Sequence, residues 1–277
     1  MTDVTLSAAT RTALLTTQGT TALAAQISER IATGLRVTRA ADDAAAFFTA
    51  QSLTSRAGDL LALKAGINQG VSALGGALAG ISAITAIANQ LKGIAIAARG
   101  GSAEARAAAA AQFDALRAQI DSLAGDAGFN GINLISASPG SLPGSLTITF
   151  NETGTSSLTV AGAASDAASL GIGTAAGSFN DFATDADIDA AIAGLDKAIG
   201  TLRSTSLRLG SNAGLLNTRL DFTRNLANTL RTGAGNLVNA DLNEEAAKLL
   251  ALRLRTELGL IGQTIANDSQ RAVLQLF

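Results

Sequence analysis

IDAAIAGLDKAIGTLRSTSLRLGSNAGLLNTRLDFTRNLANTLRTGAGNL, residues 188–237, decides the fold. Stepping 4, 3, 4, 3 from Ile188 reaches Ile192, Leu195, Ile199, Leu202, Ser206, Leu209, Ala213, Leu216, Leu220, Thr223, Ala227, Leu230, Ala234 and Leu237. Thirteen of these fifteen positions are apolar. Seven heptads of that quality predict a coiled-coil-like helix of about 50 residues, about 75 Å long at 1.5 Å per residue. A compact globule of this size cannot house such a helix, so the sequence predicts a rod.

Towards the C-terminus the pattern stays helical, with Leu250, Leu254, Leu258, Ile261 and Ile265 on one face and Leu249, Leu252, Leu260 and Val273 broadening it. Each terminal segment carries more apolar face than one partner helix covers, and the surplus is expected to seek other subunits. Towards the N-terminus the period changes to two. Leu146, Ile148 and Phe150 alternate with Thr147 and Thr149, and Leu158 and Val160 flank Thr159 across the loop NETGTSS, which predicts a small hairpin. A preceding strand is expected at Ile132 to Ile135, after the turn Phe129-Asn130-Gly131. Both prolines, Pro139 and Pro143, fall in this middle part.

From about Thr5 to Ala124 the chain reads as helix. Ile27, Ile31 and Leu35 share one face, Ile67, Val71, Leu74, Leu78 and Ile81 form a stripe, and Phe113, Leu116, Ile120 and Leu123 form another. Gly100-Gly101-Ser102 breaks the run, with Ser102 placed to cap the next helix and Glu104 in its first turn. The fold class is therefore mainly α: an elongated antiparallel helical rod, coiled-coil-like, with a small central β-hairpin region.

Composition removes most chemistry. With no His and no Cys, the chain has no Ser-His-Asp triad, no thiolate nucleophile and no His- or Cys-ligated metal. A net charge of -2, with charges on 15% of residues, is too sparse for a nucleic-acid footprint. The start, MTDVTLSAATR, lacks the basic and apolar regions of a Sec leader. Ala65 to Leu91 carries no charge, but from Gly70 to Ala88 the large aliphatics are Val71, Leu74, Leu78, Ile81, Ile84 and Ile87 alone. That composition fits a closely packed helix stripe better than a membrane span.

Two apparent ligand motifs are weak. Asp185, Asp187, Asp189 and Asp196 occupy positions 1, 3, 5 and 12 of a calcium loop, yet Ala190 stands where the loop needs Gly, and helix-start acids explain the run better. LGIGTAAG carries Gly171, Gly173 and Gly177 near a dinucleotide pattern without the right spacing or a βαβ context, and reads as a flexible link. Neither a cofactor nor catalysis is expected.

Several separate stretches resemble one family, in its order. ERIATGLRVTRAADDAAA (29–46) resembles the N-terminal signature of bacterial flagellins, and FNGINLI (129–135) the turn and strand after their long N-terminal helices. LNTRLDFT (216–223) and NADLNEEAAKLL (239–250) resemble the C-terminal flagellin helices, and the chain closes on AVLQLF, an apolar tail as in flagellins. Departures are Ile31-Ala32-Thr33 in place of the family's common Leu-Ser-Ser, and the lack of the large variable outer region.

The resemblance implies a structural subunit that self-assembles into the helical bacterial flagellar filament. It implies an extracellular location, reached through the flagellar type III apparatus without a cleaved signal peptide. The implied partners are further copies, an export chaperone, a filament cap and hook-filament junction proteins. Five parts are expected: an N-terminal inner-tube helix over 1–38, N-terminal rod helices over 39–128, the hairpin and loops over 129–186, a C-terminal rod helix over 187–238 and a C-terminal inner-tube helix over 239–277. The rod from about Arg39 to Val238 is expected to fold by itself and the ends to order on assembly, since ordering each residue costs about 1 to 2 kcal/mol.

By match to the motifs, Glu29, Arg30, Leu35, Arg36, Asp42, Asp43, Asn239, Asp241 and Glu245 are assigned packing and pairing roles. The apolar Ile27, Ile31, Leu250, Leu254, Leu258, Ile261 and Ile265 join them as assembly residues. Asp42-Asp43 also fits an ordinary acidic pair at a helix start, and Arg30 and Arg36 fit solvated charges. The alternatives in function are a hook-filament junction protein of the same assembly and, from another class, a membrane-active or adhesive helical protein.

Overall fold

A computed structural model describes residues 8–136 and 143–274. Thr5, Pro139 and the last three residues of the AVLQLF tail lie outside the described residues. The helices are α1 (Ala8–Thr33), α2 (Ala44–Ala98), α3 (Ala103–Asp126), the short α4 (Ala175–Ser178), α5 (Asp185–Val238) and α6 (Leu242–Leu274). Strands β1 (Ser145–Thr149) and β2 (Ser157–Ala161) pair antiparallel. The fold is thus mainly helical, with a small two-stranded sheet. Two compact units are present, one drawn from the chain ends up to Ala57 and from Asn228, the other spanning Gly58–Ala227.

The quoted stretch is one continuous helix, the 54-residue α5. None of its fifteen stripe positions is exposed. Within the unit Gly58–Ala227, Ile188, Leu195, Leu202, Leu209 and Leu216 join Ile67, Leu74, Ile84 and Leu91 of α2 and Phe113 and Ile120 of α3 in one core. Here α2 and α5 run antiparallel: Lys92 Nζ lies 2.5 Å from Asp196 Oδ1, and Arg99 pairs with Asp189. By length and composition α2 is apolar enough to cross a membrane, yet its aliphatic stripe is spent on this core. Gly80 permits the closest approach, because a Cβ there would sit 2.7 Å from both Ala127 Cβ and Ile135 Cδ1.

The helix boundary at Gly100-Gly101-Ser102 falls as expected, with Ser102 Oγ accepting from the Ala105 N–H. The hairpin also falls in place, pairing Leu146 with Val160 and Ile148 with Leu158. Leu146, Ile148, Phe150 and Val160 are buried on its inner side. Asn151 organises the loop, its Oδ1 accepting from the Ser156 N–H.

The strand expected at Ile132 to Ile135 does not form. Phe129 and Ile132 make an isolated two-residue bridge around Asn130 and Gly131, both at positive φ. Asn133 then takes over: its Oδ1 accepts from the Ile135 and Ser136 N–H groups while its Nδ2 donates to the Ala124 and Gly125 carbonyls at the end of α3. An amide side chain that satisfies the backbone locally competes with a ladder.

LGIGTAAG is not a flexible link either. Ile172 and Ala175 are buried, Arg117 Nε donates to the Ile172 carbonyl at 2.7 Å, and Asp114 accepts from the Ala175 N–H at 2.6 Å. The following turn, Asn180 to Phe182, is left-handed throughout and buries Phe182 against Phe113, edge to face at 5.3 Å.

In the unit built from the chain ends, α1 and α6 pair antiparallel, Arg30 lying opposite Glu245 and Thr17 opposite Gly259. The ends, expected to order on assembly, are thus already helical and paired. The helix expected to run unbroken through this region stops at Thr33, because Gly34 adopts φ +71° and its N–H closes the last turn on the Arg30 carbonyl at 2.8 Å. Residues 34–43 form a link before α2 begins.

Candidate functional site

The link 34–43 and the short connection between α5 and α6 lie against each other, and the sequence-assigned residues gather there. Leu35 bridges to Asn239, the Arg36 and Val37 N–H groups donate to the Val238 carbonyl, and the Ala240 N–H donates to the Gly34 carbonyl. Arg36 Nη2 adds a bond to the Leu237 carbonyl at 2.9 Å. Backbone of the link thereby satisfies the last carbonyls of α5, which have no partner inside their own helix.

Acidic residues start the helices that leave the junction. Asp42 Oδ2 accepts from the Thr38 N–H, the Thr38 hydroxyl and the Arg39 N–H, each at 3.0 Å. These bonds, the Thr38 N–H foremost, hold the Asp42 carboxyl below its ordinary value. Asp43 Oδ1 caps α2 by accepting from the Ala46 N–H, and Asp241 Oδ1 caps α6 by accepting from the Asn243 and Glu244 N–H groups. The plain reading of Asp42-Asp43 as an acidic pair at a helix start therefore has a geometric basis.

Charges tie the elements sideways. Arg39 Nη2 lies 3.0 Å from both oxygens of Glu29, and Arg30 faces the buried Glu245 at 3.6 Å. Lys248 reaches Glu244 at 2.9 Å and Glu245 at 3.4 Å, and the Glu244 bond first of all raises the Lys248 pKa. Sequence reasoning missed Val37, which is 2% exposed and anchors the link, and Thr20, which shares the α1–α6 seam with Ile27. A single valine among polar neighbours gives no periodic signal. Gly34 did carry one, being a lone glycine after a helical run.

The remaining assigned residues do not join this junction. Ile27 is buried and Ile31 half-buried, but Leu250, Leu254, Leu258, Ile261 and Ile265 are all 56 to 71% exposed. Thr20, Ile27 and Glu245 are the sole buried residues among the described positions of α1 and α6. The aliphatic face of α6 is accordingly turned away from α1 and covered by nothing in the chain.

No cluster of three or more His, Asp or Glu able to hold a metal occurs among the described residues. The apparent calcium acids have other tasks: Asp185 pairs with Arg106, Asp189 with Arg99 and Asp196 with Lys92, while Asp187 accepts from the Thr184 N–H and hydroxyl at the start of α5.

A helical junction with an uncovered aliphatic face is an assembly element in form, and the relatives say of what kind. Flagellin FljK of Caulobacter vibrioides is 32% identical over 96% of this chain and 94% of its own length. The chain belongs to the flagellin family. A flagellin of Brucella melitensis is 27% identical across 100% of this chain and 99% of its own. The profile of the bacterial flagellin N-terminal helical region matches residues 4–139. A crystal structure of Bacillus cereus flagellin aligns over 56% of this chain and 86% of that one, with TM-score 0.48 and 22% identity. As a flagellin, the chain is a structural subunit of the bacterial flagellar filament, an extracellular homopolymer, from a family whose role is structural and not enzymatic.

Proposed function

We propose that the α1–α6 pair is the part of this flagellin that orders the filament interior, and that Leu250, Leu254, Leu258, Ile261 and Ile265 are buried against further copies. The exposed α6 face carries this reading. Fully burying one such side chain is worth about 1.5–3 kcal/mol, so five of them outweigh what the thin α1–α6 seam supplies. The junction residues Glu29, Arg30, Leu35, Arg36, Asp42, Asp43, Asn239, Asp241 and Glu245 then hold the pair at a fixed exit from α2 and α5.

On this reading the five-part division of the chain at 38, 128, 186 and 238 is one of assembly roles: inner helices at both ends, rod helices next, and the hairpin region between. The subunit leaves the cell through the flagellar type III apparatus without cleavage of a signal peptide. It meets an export chaperone, a filament cap and hook-filament junction proteins, and performs no catalysis. Family membership supports these finer roles. Mild trypsin tests the division: cleavage of the monomer at Arg11, Arg30, Arg253, Arg255 and Arg271 should outpace cleavage within 39–238, and the trimmed product should stay helical yet fail to polymerise. Trimmed protein that still makes filaments would refute it. N-terminal sequencing of filaments sheared from cells tests export, the expected result being a sequence that starts at Met1 or Thr2.

A further inference from the structure

Within the unit Gly58–Ala227, a groove of about 780 Å³ runs between α2 and β1 and is closed at one side by the turn at Phe129. Asp59 and Glu152 line it and no Lys or Arg does. Gly66 belongs to its α2 wall, exposed, with nothing within 4 Å of where a Cβ would stand. A glycine inside a helix costs about 1 kcal/mol relative to alanine, and nothing inside the chain makes use of the space it opens. A close approach from outside would.

The large apolar side chains left exposed in this unit are Ile96, Phe129, Leu207, Leu215 and Phe222. Phe129 is on the groove wall, and three of the others stand on α5. Arg208, Leu215 and Phe222 are spaced by seven residues, which puts them on one line of the helix with a drift of about 20° per step. This line is turned away from the buried stripe. Between Lys197 and Ala227, α5 carries Lys197, Arg203, Arg208, Arg219 and Arg224 against a single acid, Asp221. The ridge is therefore basic and apolar, the groove acidic and apolar.

We propose that the Arg208–Leu215–Phe222 ridge of one copy docks into the α2–β1 groove of a second copy, Phe222 entering beside Phe129 and the basic flank of α5 meeting Asp59 and Glu152. The two patches lie on different faces of the same unit, so the contact is heterologous, the kind that propagates into an open helical polymer instead of closing as a dimer. This inference rests on the filament function and adds to it a specific contact, separate from the α6 face.

The chain has no cysteine, so Ala62→Cys on the groove and Thr218→Cys beside the ridge give sole thiols. Filaments of the double variant treated with a short bismaleimide should give a ladder of cross-linked multimers on a denaturing gel, and filaments of either single variant should not. Gly66→Met, which a helix favours over glycine, should leave the circular dichroism of the subunit unchanged while it blocks the groove. It should raise the critical concentration for polymerisation at least about tenfold. Double-variant filaments without a ladder, a ladder from a single variant, or Gly66→Met polymerising like wild type would each overturn this contact and leave the filament function standing. Wild-type chain that never polymerises would remove both.

Discussion

The Arg30 guanidinium on α1 stands 3.6 Å from the Glu245 carboxylate on α6, and Glu245 is 4% exposed with its Oε2 lacking a hydrogen-bond partner among the described residues. Both cations that reach it, Arg30 and Lys248, approach Oε1. Removing a partner from a buried pair typically costs about 3–5 kcal/mol, and the figure here is smaller because Arg30 remains 26% exposed. Arg30→Ala should therefore destabilise the α1–α6 pair by about 1–3 kcal/mol. Hydrogen exchange of the first turns of α6 checks this, with Glu245→Gln expected to exchange more slowly than Arg30→Ala because it removes the charge together with its need for a partner.

Arg106 is the central tie at the start of α5. It donates to the Gly101, Phe182 and Ala183 carbonyls and to Asp185, with its own side chain 14% exposed. Arg106→Ala leaves several acceptors without a donor and should cost about 1.5–3 kcal/mol, whereas Asp185→Asn, losing one exposed charge, should cost under about 1 kcal/mol. Thermal melts distinguish the two. Because the acids of this stretch are engaged by Arg106, Arg99, Lys92 and Thr184, calcium should leave the melting temperature unchanged, and a calcium-dependent rise would contradict the assignment.

Two glycines of α2 should respond in opposite directions to the same change. At Gly80 a methyl group collides with Ala127 and Ile135, so Gly80→Ala should destabilise by about 1–3 kcal/mol through overpacking. At Gly66 it meets nothing, and Gly66→Ala should stabilise the isolated subunit by about 0.5–1 kcal/mol. Denaturant titration of the monomers measures both.

Acid should loosen the link before α2 and the start of α5. The carboxyls of Asp42 and Asp187 are both held below the ordinary 3.8, the first chiefly by the Thr38 N–H, the second chiefly by the Thr38-like hydroxyl of Thr184. The unfolded chain therefore binds these protons more readily than the folded one. Their contribution to stability is complete above the ordinary value and is lost as pH falls through the depressed folded value. Melting temperature followed downwards from pH 5 should show an acid limb that is shallower in Asp42→Asn.

The long helices were legible because α5 repeats one rule for fifteen positions, and the hairpin because Leu146 to Val160 alternates against a polar loop. What stayed hidden depended on single side chains acting at a distance. Asn133 replaces a strand with its own amide, and Asp114 and Arg117 pin LGIGTAAG from α3. Nothing local to either segment announces those partners. At the junction, residues 29–46 and 239–250 stood out by resemblance to a family, but the bonds that join them, such as Arg36 to Leu237, link positions with no shared period.

The α6 face bears the account's central claim, and the most direct measurement is electron microscopy of purified chain after salting-out, wild type beside Leu254→Asp/Ile261→Asp. Both positions are more than half exposed in the subunit, so the double variant should keep the circular dichroism of the wild-type monomer. Wild type should form long uniform filaments and the variant should remain monomeric. Filaments from the variant at the wild-type concentration, or persistently monomeric wild type, would contradict the claim.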